Sequence, residues 1–357
     1  MRIGLGIDVS KGGLGDPVPQ PQEAAEVIDA MIAEATAAEG AGFHSVRCPD
    51  RHNRTDVYLP GVLQLLTIIA RETDRVALGA FALPNPLYHP MLLAEQCAVI
   101  DTISRGRLFM TWTRGKDYWG YFGVPEGRRL GRFLENVKVL EKAYEGERFS
   151  FHGDFYDIDD ALVSPQPYQQ PRFPFWGGGK AAVAIERCAK YSEAWACDDF
   201  PIEVTEWRQR ADGYREAARE LGKDPFVIFM RNGWVADSYD AAVEEYGQNY
   251  LQHIRWVAAR GRFAGFPQFE NAENITSETI REHLIMGSAA DCIEKIEYYK
   301  EELGIDYITM RLRLPNGPSF EAVREQIQRF GEEVVGPIHR KYPTPIGHSA
   351  IPTGARW

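Results

Sequence analysis

The 357-residue chain has five cysteines and no CxxC pair, no HxH or HExxH motif and no GxSxG elbow. The cysteine count is odd, and Cys48, Cys97, Cys188, Cys197 and Cys292 each lie among apolar or helical neighbours. A disulfide framework or zinc site is therefore not expected, and buried reduced thiols are. Long apolar runs are also missing. The stretch 61–70 is interrupted by Gln64 and is far too short to cross a bilayer. The opening MRIGLGIDVS has no apolar core of signal-peptide length, which points to a cytoplasmic protein. Positive charge is not in excess either. A net charge of −11 argues against nucleic acid as a main partner.

What remains is the composition of a folded protein with a large core: 44% hydrophobic residues against 25% charged. Apolar patterning and Gly/Pro punctuation predict strands over 2–7, 45–48, 76–82, 108–113, 174–176, 193–196, 226–235 and 306–312. Helices fall between them at 22–39, 60–71, 91–104, 132–144, 181–191, 204–221, from about 240, at 289–303 and at 320–334. Eight strands, each followed by a helix, build a parallel sheet, and over this length they favour a closed (β/α)₈ TIM barrel in one domain, 1–357. A doubly wound open sheet is the alternative. Residues 149–162 are expected to form a hairpin insertion around Gly153-Asp154. The stretch 255–286 is too long for an ordinary connection and is expected to be a lid loop with few apolar anchors.

A barrel carries its chemistry on the loops after its strands. The loop after the second strand holds Asp50, Arg51 and His52, and that after the third holds Asn85, Tyr88 and His89. The loop after the fourth, TWTRGKDYWGYFG, holds Trp112, Arg114, Lys116, Tyr118 and Trp119. After the fifth comes WGGGKAAVA. Glycines entering a helix leave free N–H groups beside the positive end of the helix dipole, which suits an anion, and Lys180 adds charge. The same run also suits a plain turn needing positive φ, and it is not a P-loop. The aromatics after strand four fit either a pocket for a flat ring or simple loop packing. Asp50 and His52 raise a metal reading, but the other strand ends supply too few ligands for it.

Four ordered blocks resemble one family. AGFHSVRCPDRHN, ALGAFALPNPLYHPMLLAEQCAVIDTISRGRLFMTWTRG, WGGGKAAVAIERCAKYS and MGSAADCIEKIEYYKEELGIDYITMRL are similar, in order and spacing, to segments of the luciferase-like flavin-dependent monooxygenases. The resemblance implies a (β/α)₈ barrel with an insertion and a mobile loop. It also implies reduced FMN, or in another branch a deazaflavin coenzyme, at the C-terminal mouth. Arg114 matches the arginine that pairs with the flavin phosphate, and Gly178, Gly179, Lys180 and Ala181 match the phosphate turn. Ala80, Phe81 and Ala82 match the strand-three segment that carries a non-proline cis peptide beneath the flavin ring, and Trp112 adjoins it.

The family usually has Asp/Glu-His after strand two. Here that dipeptide is Asp50-Arg51, with His52 one position later. Arg51 and His52 are the catalytic candidates, Arg51 as a fixed positive charge facing the flavin edge rather than as a base. Tyr58 and Tyr118 are the substrate candidates. The reaction implied is oxidation of a small organic molecule with O₂ and reduced FMN, with a separate flavin reductase as an open partner and a homodimer as the assembly. Deazaflavin-dependent reduction, or a flavin-binding partner subunit without turnover, are the alternatives.

Overall fold

The computed structural model describes residues 1–11, 15–115, 120–197, 200–261, 263 and 265–344. Eleven strands are present among them: β1 (Arg2–Gly6), β2 (Ser45–Cys48), β3 (Ala77–Leu83), β4 (Leu108–Trp112), β5 (Phe149–His152), β6 (Asp157–Ala161), β7 (Phe175–Gly177), β8 (Ala194–Cys197), β9 (Val227–Val235), β10 (Ile285–Gly287) and β11 (Tyr307–Arg311). Eight of these pair in parallel in the ring β1-β2-β3-β4-β7-β8-β9-β11, which closes from β11 back to β1. The barrel expected from the alternation is the barrel observed. β5 and β6 form the antiparallel hairpin predicted for 149–162.

The helices that cover the barrel are amphipathic and begin where the sequence permits. They are α1 (Pro21–Gly40), α2 (Val62–Glu72), α3 (Pro90–Ser104), α4 (Arg129–Ala143), α5 (Ala182–Tyr191) and α6 (Val204–Glu220). After β9 come α7 (Tyr239–Ala242), α8 (Gln248–Ala258), α9 (Pro267–Glu270), α10 (Ser277–Arg281), α11 (Ala289–Leu303), α12 (Phe320–Phe330) and α13 (Gly336–Lys341). Proline at the first turn starts α1 and α3, where a missing N–H costs nothing. Ser288 and Asp291 form a capping box that fixes the start of α11.

Two apolar layers result. Outward-facing strand residues such as Val46, Leu78, Ala80, Met110 and Phe175 pack under the helices. Inward-facing ones plug the barrel: Phe109 stacks on Trp176 at 4.1 Å, and Trp176 meets the edge of Tyr307 at 5.7 Å. Glycines admit this plug. A Cβ on Gly79 would lie 2.2 Å from the Phe109 carbonyl oxygen. Arg47 closes the plug from above, 4% exposed, with its Nε donating to Thr309 Oγ1 at 2.8 Å and its guanidinium 4.4 Å over the Phe81 ring. Everything above Arg47 belongs to the mouth.

Two expectations need correction. Ala80 was expected beside the flavin, but it is wholly buried in the layer between strands and helices. Strand alternation sends its neighbour Phe81 inward instead. The stretch 255–286 is no structureless loop: Phe269, Ile275 and Ile280 are completely buried anchors for its short helices, and it ends in β10, which pairs with residues 233–235 of β9. All five cysteines are free and buried. Burial pushes the Cys48 thiol up to about 12, so this residue is no nucleophile at neutral pH. Among the described residues, no helix is long and apolar enough to cross a membrane.

Candidate active site

A cavity of about 860 Å³ runs from the mouth of the barrel outward between α4 and α5. Of the residues singled out from sequence, Ala82, Trp112, Arg114, Gly178, Gly179, Lys180 and Ala181 line it, together with Asp50. The Phe81–Ala82 peptide at its inner end is cis, as the resemblance implies.

The outer end is built for an anion. The Gly178 carbonyl accepts from Cys188 Sγ at 3.5 Å, the Gly179 carbonyl from Trp195 Nε1 at 2.9 Å, and the Ala181 carbonyl from the amides of Ala184 and Ile185. With the turn's carbonyls held by the protein, the amides of Gly179, Ala182 and Val183 have no acceptor among the described residues. They sit at the N-terminus of α5, where the helix dipole is positive. Glycine is required at 179: φ is +144°, and a Cβ there would lie 2.6 Å from that of Ala184. Arg114, Lys180, Arg129 and Arg187 line the same cavity, against the carboxylate of Asp50 alone among the described residues. A volume within the range of ordinary ligand sites, a bare N–H turn and surplus positive charge fit a planar molecule carrying a phosphate. Both coenzymes that the resemblance implies, FMN and a deazaflavin, fit this description.

The inner end is polar and tightly held. Asp50 is fully buried, and its Oδ2 accepts from Tyr88 Oη at 2.9 Å and from His52 Nε2 at 3.1 Å. Its Oδ1 is buried and has no hydrogen-bond partner among the described residues. Burial, then the Asp50 charge and the hydrogen bond to it, push the Tyr88 phenol well up, so Tyr88 stays a donor.

Arg51 turns to a different partner. Its Nη1 donates to Ser10 Oγ at 2.9 Å and its Nη2 to Asp8 Oδ2 at 3.3 Å. Burial would raise the Asp8 carboxyl, but Arg51, Arg311 and two hydrogen bonds from Ser10 hold it down to about 2. Neither Arg51 nor His52 lines the large cavity; the preceding Asp50 does. Tyr58 is also away from it, donating to Glu23 Oε1 of α1 at 3.0 Å. Tyr118 lies outside the described residues.

Sequence reasoning passed over Asp8, Ser10, Arg47 and Arg311. The first two lie just past β1, two and four residues beyond Gly6, and period-two spacing was the one signal that could place Asp8 over the mouth.

Fold and site together define a (β/α)₈ barrel of the enzyme kind, with its polar groups gathered at the C-terminal ends of the strands. The description that matches the sequence is narrower. A family model for luciferase-like monooxygenases covers residues 12–307, and the chain belongs to that family. It is 25% identical over 341 residues to the oxygenase component of the flavin-dependent trigonelline monooxygenase of Acinetobacter baylyi, covering 89% of this chain and 92% of that protein. It is 29% identical over 166 residues to the FMNH₂-dependent dimethylsulfone monooxygenase of Pseudomonas putida, 44% of this chain and 45% of that one. The crystal structure of the monooxygenase RslO1 from Streptomyces bottropensis superposes with a TM-score of 0.80 over 94% of this chain and 99% of that chain, at 21% identity, a likeness of fold.

Proposed function

We propose that this protein is the oxygenase of an FMN-dependent monooxygenase, taking reduced FMN and O₂ to a small organic substrate. One observation carries the reading: a bare N–H turn at 178–183 and the Arg114 guanidinium line one cavity that opens onto the barrel mouth. FMN carries a terminal phosphate, and this is the charge the outer end is arranged to hold. The two relatives named above, one a flavin-dependent oxygenase component and one FMNH₂-dependent, support the same coenzyme and a separate reductase as its supplier.

When bound, FMN supplies the redox chemistry with O₂, and the protein supplies binding, orientation and a dry site. Arg114, Lys180 and the Gly178–Ala181 turn would hold the phosphate. Ala82, Trp112 and the cis peptide at 81–82 would support the ring, over a floor of Phe81 and Arg47. At the inner end Tyr88 and His52 fix the Asp50 carboxylate, leaving Oδ1 to accept a hydrogen bond from a bound N–H or O–H. Arg51 is held by Asp8 and contributes a fixed charge that takes up and gives up no proton. The segment 255–286 would act as the lid over this site.

The purified protein should bind FMN at micromolar affinity in a fluorescence titration and consume O₂ when supplied with NADH, FMN and a flavin reductase. Tighter binding of a deazaflavin coenzyme than of FMN would move the chain to the reductase branch. Binding of neither would make it a partner subunit.

The assembly belongs to the same reading. Ile68 on α2 and Leu92 and Val99 on α3 are 39%, 51% and 41% exposed, beside a groove that also takes in Leu63 and Ile100. Apolar side chains grouped on two adjacent helices suit a self-complementary dimer face. Sedimentation should give twice the chain mass, and Leu92→Glu should halve it. A monomeric wild type at micromolar concentration would remove the dimer from the account.

A further inference from the structure

A second, smaller cavity of about 130 Å³ lies beside the mouth, under α8 and the segment that follows it. Arg311, at the C-terminal end of β11, reaches into it. Its Nη2 donates to the neutral Asn232 Oδ1 at 2.9 Å, and its Nε is buried with no hydrogen-bond partner among the described residues. Asp8, the carboxylate whose charge Arg311 shares with Arg51, is bonded directly by Arg51 and twice by Ser10. Asn232 cannot neutralise the guanidinium, and its own Nδ2 is turned to Tyr246 Oη at 2.8 Å.

The walls are aromatic: Phe200, Tyr250 and Phe263 line the same space. The local field is positive. Burial first, and then Arg311 and Arg51, pull the neighbouring His253 down to about 4, so its imidazole is neutral. No Asp or Glu lines the cavity among the described residues.

We infer that this cavity is the substrate subsite and that it takes a planar, single-ring molecule bearing a carboxylate, with the carboxylate on Arg311. A half-buried guanidinium is geometrically matched to a carboxylate, which it can bind through two parallel N–H bonds. The aromatic walls supply flat apolar contact, and the volume is near the roughly 150 Å³ known to admit a benzene ring. Arg311 ends β11, and its register partner Asn232 lies in the C-terminal half of β9, so the ring would lie towards the mouth. Assignment as a substrate subsite rests on the monooxygenase reading; anion binding there does not.

Benzoate and benzamide, equal in shape and different in charge, are the probes for isothermal titration. The FMN-loaded wild type should bind benzoate at least tenfold more tightly than benzamide. Arg311→Gln should abolish the preference, and Arg311→Lys, which keeps the charge and loses the fork, should reduce it to threefold or less. Equal binding of the two probes by the wild type, or a preference of more than threefold that survives in either Arg311 variant, overturns the inference. FMN affinity, titrated separately in each variant, reports on the coenzyme site alone, so a failure of that reading shows up independently.

Discussion

Replacing Arg114 with alanine is expected to weaken FMN binding roughly tenfold to a hundredfold, because a charge-assisted hydrogen bond contributes about 1.5–3 kcal/mol. Arg114 is exposed just past the end of β4, and its side chain has no partner among the described residues. The substitution should therefore leave thermal unfolding nearly unchanged. Fluorescence titration with FMN, beside a melting curve of the same sample, checks both halves. Unchanged affinity in a folded variant would place the phosphate elsewhere.

The largest loss of stability is expected from Arg313→Ala. Arg313 lies just past β11 and is 4% exposed. Its guanidinium sits 3.3 Å from Glu34 of α1, donates to the Asp8 carbonyl oxygen at 3.0 Å and stacks 3.8 Å over the Phe320 ring of α12. It therefore ties α1, α12 and the strand end that carries Asp8 into one unit beneath the mouth. Burial raises the Glu34 carboxyl to about 7 in spite of Arg313. Its folded value lies above its unfolded one, so this group lowers stability progressively as pH rises from about 4.5 to 7.

Without Arg313 the carboxyl rises further, and that decline continues above pH 7. Removing one partner of a buried pair costs about 3–5 kcal/mol, so a loss of that order is expected in urea unfolding at pH 8. At pH 5, where Glu34 is protonated with or without its partner, only the packing on Phe320 and the bond to Asp8 are lost, and the deficit should be clearly smaller. Adding Glu34→Gln to Arg313→Ala should recover part of the loss at pH 8. Equal deficits at the two pH values would show that the pair contributes packing and no charge.

The barrel was legible because its signals are local. Glycines and prolines punctuate the chain, helical spacing recurs between them, and the predicted 289–303 coincides with α11 to the residue. β10 was missed because a three-residue apolar run, IMG, has no period of its own and holds its place only by pairing with β9. Ala80 was misplaced for a related reason. A parallel strand buried on both faces shows no alternation of apolar and polar residues, so ALGAFAL does not announce which side chains turn inward.

The site divides in the same way. The glycine turn and Arg114, which line one cavity, could be picked out because glycine spacing and a strand-end arginine are written in sequence. The partners of Arg51 and His52 could not. Asp8 is distant in sequence from Arg51, and Arg311 is more distant still; only closure of the barrel brings them together. That closure is also what leaves Asp50, rather than Arg51, lining the cavity.

The most direct test compares FMN with riboflavin, which has the same ring system and lacks the phosphate. The wild type should bind FMN at least a hundredfold more tightly than riboflavin, and Arg114→Ala should close most of that gap by weakening FMN alone. Equal affinity of the wild type for the two ligands would contradict the assignment of the 178–181 turn and Arg114 as a phosphate site, and with it the claim that this barrel works on FMN.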